Sequence, residues 1–239
     1  MKAVILAAGV GKRLWPITQH KPKCLIEIGG QTLLSRYFDA LAGVRIREAT
    51  IVVGYKQEMI RAAAGSQCRG VDISYLVNEE FHRGSISSLW VARSALSDDV
   101  VIMDADVLFH REILRCLVES PFTNCLLMDD TVKQTGEECM VVVQGGRVIA
   151  LSKKMPERYD VAGEGVGFLK VCRADTAQVI DSLKGYIDQG RWEMEYEDGL
   201  SQYFRNVKVG HEKIGDLPWT EIDFPEDVTR AEREILPKL

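Results

Sequence analysis

The apolar run Val100-Val101-Ile102-Met103 ends in Asp104-Ala105-Asp106, and near the other end of the chain Trp219-Thr220-Glu221-Ile222-Asp223 offers two more carboxylates. Hard carboxylate oxygens suit Mg²⁺, which takes one or two of them and completes its octahedron with water and phosphate. Asp106 is one candidate ligand and Asp223 a second. Glu221 and Asp223 share one face of an extended segment, so one could bind while the other supports it. Taken singly, Asp104 and Asp106 could equally be strand-end turn residues and Asp223 a helix cap. A partner for them lies at the amino end, where Leu6-Ala7-Ala8-Gly9-Val10-Gly11-Lys12-Arg13 runs from apolar residues into glycines and cations. A buried strand ending in glycines exposes backbone N–H groups at its carboxyl end, which together with Lys12 and Arg13 favour phosphate oxygens. Two familiar phosphate loops are excluded by counting. A Walker A motif needs glycine where Leu6 stands and Ser or Thr where Arg13 stands, and the last glycine of a dinucleotide fingerprint would fall on Leu14.

To bring these groups together, the chain must place the loop and Asp106 at the carboxyl ends of neighbouring strands, where open α/β sheets bind ligands. The pattern provides for this. Strands are expected at Lys2–Leu6, Ala49–Val53, Val71–Val77 and Val100–Met103, alternating with helices at Thr32–Leu41, Gln57–Ala64 and a stretch through Leu89 to Leu96. This is the signature of βαβ units around a mainly parallel sheet. Farther on, Cys139–Val143 and Arg147–Leu151 flank Gly145-Gly146 as a hairpin, and Gly167–Val171 reads as a strand. Helices are expected at Ala174–Tyr186, Asp198–Phe204 and Glu226–Leu236, with Pro225 in the first turn of the last. One domain over 1–239 is expected, with residues 1–135 as a nucleotide-binding half and 136–239 carrying the acceptor site and the second metal ligand.

With 239 residues, 46% hydrophobic, the chain can bury a substantial core. Its net charge of -5 argues against nucleic acid and anionic membrane as partners. The apolar stretch Val4 to Ala8 is too short for a membrane span or a signal peptide, so a cytoplasmic enzyme is expected. Six scattered cysteines form no C-x-x-C pair and indicate neither zinc nor a disulfide framework.

The phrase Leu6 to Pro16, followed by Lys21-Pro22-Lys23-Cys24-Leu25, resembles the signature of the nucleoside-triphosphate transferases that make nucleotide-activated sugars and alcohols. The resemblance implies a GT-A-like, Rossmann-related fold: a three-layer α/β sandwich on a mainly parallel mixed sheet, with an inserted β-hairpin region for the acceptor. It implies that Leu6, Ala7, Ala8, Gly9, Gly11 and Lys12 wrap the triphosphate, that Arg13 and Lys23 serve catalysis, and that Asp106 and Asp223 are the Mg²⁺ pair, with Asp104 close by. The stretch Asn78 to Leu89 resembles the family's base-binding loop, which nominates Asn78, Gly84, Ser85 and Ser88 as nucleotide contacts. That loop and the Trp-x-Glu-Ile-Asp phrase are most similar to the phosphocholine cytidylyltransferase branch, which favours CTP over UTP or dTTP.

A choline head group is a permanent cation and needs aromatic faces and carboxylates. Trp192, Glu195, Tyr196, Asp198 and Trp219 are candidates for that pocket, and Lys153 for the acceptor's phosphate. Phosphoethanolamine, 2-aminoethylphosphonate, inositol phosphate and a sugar 1-phosphate remain alternative acceptors. The expected partners are thus CTP and a small phosphorylated alcohol or phosphonate, with a homodimer as the assembly.

Overall fold

The structure is a computed structural model that describes every residue except 133. In chain order the strands are β1 (Lys2–Ala7), β2 (Glu27–Ile28), β3 (Gln31–Thr32), β4 (Glu48–Val53), β5 (Gln67–Cys68), β6 (Val71–Val77), β7 (Val100–Asp104), β8 (Val107–Phe109), β9 (Cys125–Asp129), β10 (Met140–Gln144), β11 (Arg147–Ser152), β12 (Val161–Val171), β13 (Gly210–Lys213) and β14 (Trp219–Glu221). The helices are α1 (Leu33–Gly43), α2 (Gln57–Ala64), α3 (Ile86–Val91), α4 (Arg111–Glu119), α5 (Thr176–Ile187), α6 (Tyr196–Gly199), α7 (Ser201–Asn206) and α8 (Pro225–Arg230).

One mixed sheet runs β11-β10-β12-β7-β1-β4-β6-β5, with β9 and β13 branching from β12. Its centre, β7-β1-β4-β6, is parallel, and β12 joins β7 antiparallel. Helices cover both faces, which is why the central strands read as nearly unbroken apolar runs. Along β1, Ala3, Ile5 and Ala7 face a core shared with α1, α2 and α4, while Val4 faces the opposite core shared with α3, α5 and α7. The result is the α/β three-layer sandwich expected.

Local chemistry fixes the element ends. Thr32 caps α1 by accepting from the Ser35 amide at 3.1 Å, so that helix begins one residue later than expected. The expected helix Asp198–Phe204 is instead two short helices, α6 and α7, meeting at Leu200. The last helix is regular only over Pro225–Arg230 and continues in altered turns to Lys238. The hairpin β10–β11 is stitched into the main sheet, because β10 also pairs with β12. Among the described residues no helix is long and apolar enough to cross a membrane.

A third, smaller core positions the site. Leu14 behind the glycine loop, Ile26, Ile28 and Leu33 beside α1, Leu108 of β8, Ile222 beyond β14 and Ala231 pack together. This cluster ties the first forty residues to the last twenty, bringing together groups that lie two hundred positions apart in the chain.

Candidate active site

The loop leaves β1 at Ala7, so the amides of Gly9, Val10 and Gly11 fall beyond the last sheet pairing and stay available to a ligand. Gly11 takes φ +65°, a left-handed conformation suited to glycine, and its carbonyl accepts from Thr18 Oγ1 at 2.6 Å. The chain then turns through Lys12–Leu14, whose two cations border the cleft.

Asp106 follows β7 by two residues, and β8 starts at the next position. The short ribbon β8–β14 places Glu221 opposite Val107, and the Ile222 amide donates to the Asp106 carbonyl at 3.0 Å. Asp223 therefore arrives beside Asp106 because of strand pairing. Ligand oxygens of Asp106, Glu221 and Asp223 all lie within 4.8 Å of one another. Lys23 Nζ donates to Asp106 Oδ2 at 2.7 Å and to Asp223 Oδ1, while Arg13 Nη2 meets Asp223 Oδ2 at 2.5 Å. Asp106 Oδ1 is buried without a partner. Three clustered carboxylates with an orphaned oxygen fit a hard divalent cation.

Charges in this cluster perturb one another. Burial works against the Lys23 ammonium, but Asp106, Asp223 and Glu221 outweigh it and raise its pKa. Burial, followed by Asp106 and Asp223, pushes the Glu221 carboxyl up to about 8. Asp104 is raised well above the carboxylate range by burial and by Asp106. Tyr196 Oη donates to Asp104 Oδ2 at 2.7 Å and Tyr37 Oη to its carbonyl at 2.5 Å, so Asp104 is anchored as well as exposed to the cleft.

A cleft of about 510 Å³ brings together most of the residues singled out in the sequence. Leu6, Ala7, Ala8, Gly9, Gly11, Lys12, Arg13, Lys23, Gly84, Ser85, Ser88, Asp104, Asp106, Lys153, Glu195, Tyr196 and Asp223 all line it. Four others lie elsewhere. Asn78 is buried beneath the base loop, donating from Nδ2 to Ser87 Oγ at 2.9 Å and Ser88 Oγ at 3.0 Å while its Oδ1 accepts from the Glu80 amide. Its side-chain amide thus shapes the loop from below. Trp192 lies under the Arg83 guanidinium, 5.4 Å from ring to carbon, and packs on the core behind the cleft. Asp198 is exposed and reaches only Ser152, at 3.4 Å. Trp219 belongs to a neighbouring cavity, where its Nε1 donates to Asp129 Oδ2 at 2.9 Å.

The base loop and the segment before α6 form one wall. Gly84 N donates to Trp192 O at 2.9 Å, Ile86 N to Met194 O at 3.1 Å, and the Tyr196 amide to Ser85 Oγ at 2.8 Å. Ser85 Oγ in turn donates to Glu195, which places Glu195 beside Ser85 on this wall of the cleft.

The neighbouring cavity, about 310 Å³, opens beside Arg13, Glu221 and Asp223 and is walled by Trp219, Phe224, Asp129, Glu138, Glu164, Asp227 and Arg230. Burial, with Glu138 and Asp129, pushes Glu164 up to about 7. Sequence reasoning missed Asp129, Glu164 and Phe224 as site residues. An isolated acid within or at the end of a strand carries no local signature, although the position of Phe224 next to Asp223 was a usable hint.

Several solved structures share the fold across nearly the whole chain. The CTP:phosphocholine cytidylyltransferase LicC of Streptococcus pneumoniae superposes with a TM-score of 0.75 at 20% identity, covering 97% of each chain. The inositol-1-phosphate CTP transferase of T. maritima gives 0.73 at 19% identity, covering 98% of this chain and 97% of that one. Among curated proteins, the CMP-5'-(3-aminopropyl)phosphonate synthase of Streptomyces rubellomurinus is 28% identical over 250 residues, 99% of this chain but 39% of the relative. The bifunctional IPC transferase and DIPP synthase of Rubrobacter xylanophilus is 28% identical over 98% of this chain and 52% of its own length. The chain thus spans about half or less of these two curated relatives. Residues 2–123, which hold the glycine loop, Lys23, the base loop and Asp106, match the nucleotidyl transferase family, and the chain belongs to that family.

Proposed function

We propose that this protein is a Mg²⁺-dependent cytidylyltransferase that moves CMP from CTP onto a small cationic phosphoalcohol of the phosphocholine type, giving a CDP-alcohol and pyrophosphate. The observation that carries the acceptor is the cavity beside Asp223. Among the described residues its wall holds seven carboxylates (Asp129, Glu137, Glu138, Glu164, Glu221, Asp223, Asp227) against two guanidiniums (Arg13, Arg230), with Trp219 and Phe224 as aromatic faces. Such a lining attracts a cation and gives a neutral polyol little advantage. A wall of this cavity is also a wall of the nucleotide cleft, so an acceptor with its head group in the cavity directs its phosphate toward Arg13 and the carboxylate cluster. CTP is supported by the resemblance of the loop at Asn78 to Leu89 and by similar proteins whose names contain CTP or CMP.

The acceptor's phosphate oxygen is already anionic, so no general base is required; the protein must hold two anions together and in line. Arg13, Lys23 and the amides of Gly9 to Gly11 neutralise and orient the triphosphate, and the same groups hold the departing pyrophosphate. Asp106 and Asp223, with Glu221 beside them, would hold Mg²⁺, which supplies charge neutralisation and polarisation at the α-phosphate. Lys153, exposed at the rim, is a further phosphate contact in this reading. An aminoalkylphosphonate is the second reading, supported by the match along 99% of the chain to a phosphonate-named relative. Incubation with CTP, UTP or dTTP and phosphocholine, analysed by mass spectrometry, tests the nucleotide: a CDP-choline product is expected, and preferential use of UTP or dTTP would contradict it.

A further inference from the structure

The carboxylates proposed to hold the metal are held by this chain's own cations. Lys23 Nζ bridges Asp106 Oδ2, at 2.7 Å, and Asp223 Oδ1, while Arg13 Nη2 takes Asp223 Oδ2 at 2.5 Å. Both oxygens of Asp223 are thereby engaged, whereas Asp106 keeps Oδ1 unpartnered. A small divalent cation sits about 2.0–2.1 Å from each ligand oxygen. At Asp223 it must share an oxygen that already faces an ammonium or a guanidinium, and like charges at that separation repel. One protein cation must therefore withdraw. Lys23 is the one that spans both ligands, with 16% of its side chain exposed; Arg13, 52% exposed, touches one and also lies over the Phe224 ring at 5.2 Å. Both border the cleft beside Gly9 to Gly11, where triphosphate oxygens would offer them new partners.

We infer that Lys23 is a resident counter-ion: it closes the metal position in the free protein and leaves it when a triphosphate draws its ammonium away. Divalent cation and nucleotide then enter together, and the cation alone binds weakly. Lys23 also offsets the mutual repulsion of Asp106 and Asp223, the two carboxylates it bridges. The inference rests on the metal reading above.

The test is Mn²⁺ affinity of the full chain without nucleotide, measured by electron paramagnetic resonance and calorimetry. Lys23→Gln is expected to bind Mn²⁺ alone at least about tenfold more tightly than the parent while binding CTP more weakly, the tenfold corresponding to about 1.4 kcal/mol. Arg13→Gln, at a half-exposed position that touches Asp223 alone of the pair, is expected to give a smaller gain and serves as the second variant should Lys23→Gln not fold. Unchanged or weaker Mn²⁺ binding in both variants would overturn the inference. Mn²⁺ binding that Asp106→Asn and Asp223→Asn fail to weaken would overturn the metal assignment beneath it.

Discussion

Replacing Asp106 or Asp223 by Asn preserves side-chain size but removes a charge that Lys23 and, at Asp223, Arg13 now balance. Pyrophosphate release by either variant is expected to fall by about 100-fold or more, the scale of losing several kcal/mol of charge stabilisation in the transition state. Near-parental turnover in a folded double variant would remove these residues from the mechanism. Glu164 supports a pH prediction. Its carboxyl titrates near 4.5 when unfolded and is pushed up to about 7 in the fold, chiefly by burial. The folded state therefore holds more protons between those values, so this group's stabilisation is fully present below about 4.5 and is lost as pH rises through about 7. Glu164→Gln is expected to gain stability relative to the parent at pH 8 compared with pH 5 in urea unfolding. An unchanged difference between the two pH values would contradict this. The glycine loop, Lys23, Asp106 and Asp223 were legible because each belongs to a local phrase with its own chemistry. Asn78, Trp192 and Asp198 were misplaced because tertiary contacts decide which way a side chain points, and Asn78 is consumed by Ser87 and Ser88.

At the scale of elements, the pairing between the loop at Gly84 to Ile86 and the segment before α6 sets the shape of one wall of the cleft. A Cβ on Gly84 would stand 2.1 Å from the Met194 carbonyl oxygen, a backbone atom with little room to yield. Gly84→Ala is expected to lower stability by about 1–3 kcal/mol, as overpacking does, and to raise the KM for CTP because the loop must shift. Thermal unfolding and steady-state kinetics check this, and parental values in both would show that the wall is not held in this way. The strands and helices of the first half were readable where apolar periodicity extended over several turns or alternations, as in Gln57–Ala64 and Val71–Val77. Strand β8 has three residues and β13 the polar sequence Gly-His-Glu-Lys, so non-local pairing with β14 and β9 defines them more than pattern does. Helix α4 was also missed, although Ile113, Leu114 and Leu117 form a buried face that periodicity could have revealed.

Over the whole molecule, the sheet carries the glycine loop on β1 and Asp106 beyond β7, while the small core around Leu14, Leu108 and Ile222 brings in Asp223 from the last part of the chain. The parallel centre of the sheet was legible from its alternating elements. The closure between chain ends was not, since it depends on a three-residue ribbon and a seven-member apolar cluster with no repeating pattern. That closure also creates the acidic, aromatic cavity proposed to receive the acceptor. The most direct measurement is kcat/KM for pyrophosphate release with Mg²⁺-CTP across phosphocholine, phosphoethanolamine, 2-aminoethylphosphonate, inositol phosphate and glucose 1-phosphate. Cationic acceptors are expected to exceed the two polyol phosphates by about tenfold or more, a difference of about 1.4 kcal/mol that one cation–aromatic contact with its carboxylates can supply. A polyol phosphate matching or exceeding every cationic acceptor would contradict the proposed function.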